Sequence, residues 1–225
     1  MLDELVARFD PTRSAVVVID VQNDYCSPSG QLAQRGRNFA GIDEVVTNIE
    51  SLIASARTHD VAVCFVSMAQ VTHEDNAIWA RRRPHRLTAS SEGAACEAGT
   101  WGAGHYRISP RPGDIQIEKH RYSAFIGTPL ERELRSRSLD SLLFCGVSTN
   151  VCVESSLRDA VCRDFFTTLV EDCCGSHDRA DHRRAVESVR ADFGLVTTSS
   201  DIFTHWARLV KMTGVPRDTA KSTRR

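Results

Sequence analysis

Residues 141–160 read SLLFCGVSTNVCVESSLRDA, and this stretch decides the fold. Its first seven residues form an apolar run that predicts a buried strand, and a helical pattern follows from about residue 150 to 163. A strand that runs directly into a helix is the building unit of a parallel α/β sheet. Cys152 stands where this helix begins, so it is either a core cysteine or a nucleophile.

The same strand-to-helix unit repeats along the chain. Short β-branched apolar runs alternate with segments of helical period, which is typical of a parallel sheet with crossover helices. The predicted strands are residues 15–19, 61–67, 114–118, 141–147, 165–170 and 194–197. The predicted helices are residues 42–56, 128–138, 150–163, 178–192 and 200–211. The sequence therefore predicts an α/β fold with six strands.

The composition is that of an ordinary soluble protein. The chain has 225 residues, of which 41% are hydrophobic and 25% charged, and its net charge is -1. Neither nucleic acid nor a membrane is therefore expected as a partner, and a small-molecule substrate is the default. The N-terminus lacks the pattern of a signal peptide, and no segment approaches the roughly 18 apolar residues of a membrane helix. We expect a cytoplasmic protein with one domain over residues 1–213 and a polar tail at 214–225.

The eight cysteines predict reduced thiols rather than disulfides or a metal site. Most of them fall inside apolar strands or helices, where a free cysteine packs as a small hydrophobic residue. No C-x-x-C pair is present, so we expect no metal. Cys64, Cys145 and Cys162 are predicted core cysteines. Cys26 is the alternative to Cys152 as the reactive thiol, because it lies near Asp20 in the sequence.

Residues 70–112 interrupt the alternation of strands and helices. A segment of this length without regular structure is uncommon in a compact domain unless it forms lids or binding loops. We therefore interpret it as a lid that shapes the substrate site. Gln70 and Trp101 are its candidate substrate contacts.

Three reactive residues stand at the ends of predicted strands. Ligands of open parallel sheets bind beyond the carboxyl ends of the strands, where Asp20, Lys119 and Cys152 are found. Asp20 alone is equally well a turn aspartate, and Lys119 alone is better read as a lysine that snorkels to the rim. If Thr149 caps the helix, Cys152 lies in its first turn, where free amides stabilise a thiolate. Together the three residues form a thiol, a base and a cation that need no cofactor.

These residues resemble a known family, the isochorismatase-like cysteine hydrolases. The similar stretches are VVVIDVQNDYC (16–26), EKHRYSAF (118–125), CGVSTNVCVESSLRDA (145–160) and LVEDCCGSH (169–177). The resemblance implies a three-layer αβα fold with a six-stranded parallel sheet, and a catalytic triad of Cys152, Asp20 and Lys119. It also implies a homo-oligomer, either a dimer or a tetramer.

The resemblance further implies how the site would work. It implies a cis peptide bond between Val147 and Ser148, and an oxyanion hole formed by the backbone amides of Ser148 and Cys152. The tyrosine after the lysine, Tyr122, would help to hold the substrate. Gln22 and Tyr25, in the polar stretch after the first strand, are further candidate substrate contacts.

The resemblance favours cleavage of an amide or ureide bond. The chain is most similar to the ureidoacrylate hydrolases, with biuret, triuret and N-carbamoylsarcosine hydrolases as alternatives, although Gln70 and its neighbours depart from the ureidoacrylate pattern. Isochorismatases proper cleave a vinyl ether and do not need the cysteine. Nicotinamidases bind a metal through an Asp-x-His arrangement that residues 67–76 do not show convincingly. A catalytically silent binding or assembly module on the same fold is the non-enzymatic alternative.

Overall fold

The computed structural model describes residues 8–37, 41–70 and 94–213. Six parallel strands form one sheet in this part of the chain. They are β1 (Ser14–Ile19), β2 (Ala62–Met68), β3 (Ile115–Lys119), β4 (Ser141–Val147), β5 (Phe166–Gly175) and β6 (Leu195–Thr197). All six predicted strands are confirmed, and only β5 extends well beyond its predicted end. Its extension pairs with the end of β4 after a shift in register, which brings Cys174 opposite Gly146.

The strand order, β3-β2-β1-β4-β5-β6, places a topological switch point between β1 and β4. From this point the chain builds outward to one edge through β2 and β3, and to the other through β4, β5 and β6. In sheets of this order, ligands bind in the crevice at the carboxyl ends of the strands that flank the switch point. Asp20 follows β1 and Cys152 follows β4, so both lie at this crevice.

Helices cover both sides of the sheet and complete the predicted three layers. They are α1 (Asn23–Cys26), α2 (Gln31–Gln34), α3 (Ile42–Thr58), α4 (Leu130–Ser136), α5 (Glu154–Val161), α6 (Arg179–Ser188) and α7 (Ser199–Thr213). A 3₁₀ turn, Trp101–Ala103, and two π-helical turns, Thr149–Val153 and Val189–Phe193, lie between them. The five predicted helices are present, but α4 is shorter than predicted because Pro129 lies at its N-cap and the helix begins at Leu130.

Burial in the sheet follows the position of each strand. Every residue of the central strands β1 and β4 is buried, which explains why both read as continuous apolar runs. Strand β3 lies at the edge and alternates between buried and exposed residues, with Lys119 on its buried side. Within the described ranges, no helix is long and apolar enough to cross a membrane. The predicted tail at 214–225 and residues 71–93 of the predicted lid lie outside the described residues.

Candidate active site

Asp20 is presented to the crevice by a turn at the end of β1. Its backbone adopts a left-handed conformation, with φ of 53°, which is uncommon for side chains other than Asn and Asp. The turn is held by its amide, which donates to the carbonyl of Val66 at 2.8 Å, and by its carbonyl, which accepts from the amide of Gln22 at 2.8 Å. The Asp20 side chain is fully buried as a result.

Lys119 forms a buried ion pair with Asp20. Its Nζ donates to Asp20 Oδ2 at 2.8 Å and to the carbonyl of Arg121 at 3.2 Å. The exposed fractions of the two side chains are 0% and 1%, so the interpretation of Lys119 as a snorkelling lysine is wrong. Burial lowers the pKa of Lys119, but its interactions with Asp20 and Cys152 outweigh this effect, and the net shift is upward. The lysine therefore stays charged.

The second carboxylate oxygen of Asp20 is the free acceptor of the site. Asp20 Oδ1 is buried and has no hydrogen-bond partner among the residues that the structure describes. The Cys152 thiol interacts with both members of the ion pair. Burial, followed by the charge of Asp20, raises the pKa of Cys152, and the opposing effect of Lys119 does not offset them. A protonated thiol thus lies near the Asp20 carboxylate, one oxygen of which has no hydrogen-bond partner among the described residues.

This arrangement corrects two expectations about Cys152. Thr149 does not cap a helix; it opens the π-helical turn that carries Cys152, and its hydroxyl contacts His182 instead. The surroundings also raise the pKa of Cys152 rather than stabilise its thiolate, because burial outweighs every favourable contribution. The thiol therefore has to transfer its proton when it attacks.

Gly146 allows β1 and β4 to approach closely at this edge of the sheet. It lies opposite Ile19, has φ of +120°, and a Cβ placed there would be 2.0 Å from the Ile19 carbonyl oxygen. Only glycine fits this position. Its partner Ile19 directly precedes Asp20, and Gly146 itself lies shortly before Cys152. The Val147–Ser148 peptide bond, which the resemblance implies to be cis, is cis in the structure.

Gln22 braces the end of β2 next to the site. Its Nε2 donates to the carbonyls of Met68 at 2.9 Å and Ala103 at 2.7 Å, and its Oε1 accepts from the Met68 amide at 2.8 Å. The side chain is fully buried, and both donors are used. Its amide thereby ties the end of β2 to the described part of the lid, and a substrate contact for Gln22 stays a prediction.

Asp24 is a structural residue that the sequence did not single out. Its buried carboxylate accepts from the amide of Cys96 at 2.7 Å and from the amide of Gln31 at 3.1 Å. Gly102 packs directly on the same carboxylate, so that a Cβ there would be 2.1 Å from Oδ2. Asp24 thus ties the segment around Cys96 and Gly102 to the residues that follow β1. The Asp-Tyr-Cys stretch gave no signal of this role, because its partners are remote in sequence.

The other predicted substrate contacts fall in different surroundings. Burial raises the pKa of Tyr25 well above its usual value, and the acidic groups of Cys96, Asp20 and Cys152 raise it further, so the phenol lies near the reactive groups. Tyr122 is partly buried against the core, close after Lys119. Gln70 pairs through its backbone with residues 96–98. The Trp101 side chain is 60% exposed, and its carbonyl accepts from Asn23. Substrate contacts for Tyr25, Tyr122, Gln70 and Trp101 stay predictions.

The other cysteines are less suited to attack. Burial raises the pKa of Cys26 to about 12, and the charge of Asp20 adds to this, whereas Cys152 also interacts with the side chains of both Asp20 and Lys119. Cys162, predicted to lie in the core, is exposed at the end of α5, where the helix faces solvent. Seven thiols are buried, namely Cys26, Cys64, Cys96, Cys145, Cys152, Cys173 and Cys174. In residues 8–37, 41–70 and 94–213, no group of three or more His, Cys, Asp or Glu side chains could hold a metal ion.

Comparison with known proteins agrees with this architecture. Residues 14–201 match the isochorismatase domain family, a span that includes Asp20, Lys119 and Cys152. The chain belongs to the isochorismatase family. The resemblance is thereby confirmed at the level of this hydrolase family, whereas the ureidoacrylate, biuret and N-carbamoyl branch stays a prediction.

Solved structures of isochorismatase-like proteins share the fold. An isochorismatase family protein from Desulfovibrio vulgaris is 27% identical with a TM-score of 0.73, over 87% of this chain and 99% of that one. A cysteine hydrolase from Pseudomonas syringae is 24% identical with a TM-score of 0.74, over 88% and 94%. The N-carbamoylsarcosine amidase of Thermoplasma acidophilum is 24% identical with a TM-score of 0.66, over 83% and 96%. Residues 71–76, part of the stretch in which a nicotinamidase would carry its Asp-x-His metal motif, lie outside the described residues.

Proposed function

We propose that this isochorismatase family member is a cysteine amidohydrolase that cleaves a C–N bond of a small ureido, carbamoyl or amide substrate through a thioester. The observation that carries the proposal is the free oxygen of Asp20. A buried carboxylate that is paired on one oxygen and unsatisfied on the other is a general base beside a protonated thiol. Vinyl ether hydrolysis has no use for that thiol.

The first half of the reaction forms the thioester. Asp20 Oδ1 takes the proton of Cys152 while Sγ attacks the substrate carbonyl, and Lys119 compensates the negative charge that develops. The amides of Ser148 and Cys152 are the proposed donors to the oxyanion. The tetrahedral intermediate collapses with cleavage of the C–N bond, and ammonia or an amine leaves with the proton that Asp20 returns.

The second half regenerates the thiol. Asp20 accepts a proton from water, the resulting hydroxide attacks the thioester carbonyl, and the C–S bond breaks. Cys152 then recovers its proton from Asp20. Each half-reaction thus uses one proton transfer to Asp20 and one from it, while the Asp20–Lys119 contact persists throughout.

An ammonia-release screen tests the proposal. The panel contains ureidoacrylate, biuret, triuret, N-carbamoyl amino acids, maleamate and nicotinamide, with amine release measured in parallel. Cys152→Ala should abolish turnover of any substrate found, whereas Cys26→Ala, the matched buried thiol, should retain it. Wild-type activity in Cys152→Ala would overturn the mechanism and point to chemistry of the vinyl ether type. A wild-type protein that turns over no substrate of the panel and forms no adduct with any of them would favour a binding module.

A further inference from the structure

The turn that carries Cys152 is hydrogen-bonded to the chain segment that follows β5. Thr149 Oγ1 lies 2.9 Å from His182 Nδ1 on α6. Ser176 donates its hydroxyl to Asn150 Oδ1 at 2.9 Å, and the Asn150 amide lies 3.5 Å from Ser176 Oγ. The proposed reaction assigns no task to these side chains. Their contacts nevertheless join the first two residues of the turn to a different layer of the fold.

The contact between Thr149 and His182 is the better protected of the two. Thr149 is fully buried, so water cannot replace a lost partner of its hydroxyl without opening the site. Burial lowers the pKa of His182, which keeps the imidazole neutral at neutral pH and able to bond the hydroxyl. The His182 side chain of α6 is thereby hydrogen-bonded to the turn that carries Cys152.

Thr149 lies between the two proposed oxyanion donors. It follows Ser148 directly and precedes Cys152 by three residues, and the amides of Val151 and Val153 both donate to the Ser148 carbonyl, at 3.1 and 3.3 Å. A rotation of Thr149 would therefore move both donor amides together. Misplacement of catalytic groups by about 1 Å is able to cost about 100-fold in rate.

We propose that His182 is a positioning residue that holds the oxyanion donors of Ser148 and Cys152 in place through its hydrogen bond to Thr149. The inference rests on the proposed function, because it assumes that these amides receive the oxyanion. Loss of the His182 side chain should therefore slow acyl transfer and leave the reactivity of the Cys152 thiol itself unchanged. Asp20 and Lys119, which control the thiol, do not contact His182 by any described hydrogen bond.

Two reagents separate these effects without knowledge of the natural substrate. In acylation by p-nitrophenyl acetate, Cys152 Sγ forms a bond to the acetyl carbon, p-nitrophenolate leaves, and the thiol proton passes to Asp20; the step creates an oxyanion. Alkylation by iodoacetamide displaces iodide at a tetrahedral carbon and creates none. Both rates are measured at Cys152 in a Cys162→Ser background, because Cys162 is exposed.

The variants are Thr149→Val, His182→Ala and their combination. Each should slow acylation about 10-fold, a fraction of the loss seen when an oxyanion donor is deleted, and change alkylation less than twofold. The double variant should be no slower than either single one, because both changes break the same bond. Thr149→Ser keeps the hydroxyl, and His182→Asn keeps a side chain that can form hydrogen bonds. Both variants should therefore retain most of the wild-type acylation rate.

Thr167→Val is the matched control for stability. Thr167 is a buried threonine near the start of β5, at the opposite end of the sheet, and its hydroxyl donates to the Phe193 carbonyl at 2.5 Å. It should lower the urea midpoint about as much as Thr149→Val and leave acylation unchanged. Equal losses in acylation and alkylation, additive single effects, or full acylation in both single variants would each overturn the role of His182. Acylation in the wild type that persists in Cys152→Ala would instead overturn the proposed function, and the inference with it.

Discussion

Replacement of Lys119 by methionine tests whether the ion pair holds the site together. Methionine keeps most of the apolar length of lysine and removes its charge, so the change isolates the contact with Asp20. That contact is 2.8 Å long between side chains that are 0% and 1% exposed. One oxygen of Asp20 already lacks a partner among the described residues, and Lys119→Met would remove the lysine partner of the other.

The expected loss follows from the burial of the pair. Breaking a buried ion pair by removing one member costs about 3 to 5 kcal/mol, because the remaining charge is left uncompensated. Asp20→Asn should cost a similar amount for the same reason. The double variant, Asp20→Asn with Lys119→Met, leaves no buried charge and should lose at least about 2 kcal/mol less than the sum of the single losses.

The assay is urea unfolding at pH 7, followed by circular dichroism. Arg137→Met is the control, because Arg137 pairs with Glu133 on the surface of α4 with exposed fractions of 44% and 32%; it should change the free energy of unfolding by less than about 0.5 kcal/mol. Lys119→Met within 1 kcal/mol of the wild type, or strictly additive effects in the double variant, would refute the reasoning.

Three further predictions concern the packing around the site and its thiols. Gly146→Ala should destabilise the fold by several kcal/mol more than Gly113→Ala in urea unfolding. Both glycines have positive φ, but only a Cβ at residue 146 would lie 2.0 Å from the Ile19 carbonyl oxygen. Equal losses would contradict the close approach of β1 and β4. Gly102→Ala should displace the Asp24 carboxylate, which is held in place by hydrogen bonds from two backbone amides. Hydrogen exchange in residues 94–104 should then become faster, and an unchanged exchange rate would show that Asp24 is not needed to hold this segment. The free energy of unfolding should fall by about 3 kcal/mol between pH 7 and pH 9, because each of the seven buried thiols has a raised pKa when folded but ionises near 9 when unfolded. The thiols of the unfolded state therefore lose their protons first as the pH rises. A free energy of unfolding that does not change with pH would contradict the burial of the thiols.

Strand periodicity and the chemistry of strand ends predicted the fold and the three central residues. Asp20 and Cys152 could be placed because both follow strongly apolar runs, and parallel strands end at one edge. The local pattern left Lys119 ambiguous, since the alternation in β3 shows only that it lies on the buried side, and its catalytic role was predicted from the family resemblance. Its partner, 99 residues away, cannot be read from local pattern.

Long-range contacts account for what the sequence reasoning missed. The hydrogen bonds of Gln22 could not be predicted, because its partners lie 46 and 81 residues further along the chain. Thr149 looked like a helix cap, and its partner is His182 on another helix. The pKa of Cys152 is raised for a related reason, since burial by the whole fold outweighs the local effect of a helical turn.

The most direct test of the central claim is the mass of the protein during turnover. A substrate identified by the ammonia-release screen is mixed with enzyme, the reaction is quenched in acid within milliseconds, and the intact mass and peptides are measured. The account predicts an acyl adduct on Cys152 that hydroxylamine removes and that Cys152→Ala does not form. Turnover at the wild-type rate by Cys152→Ala, or an adduct on Cys26 in place of Cys152, would contradict it.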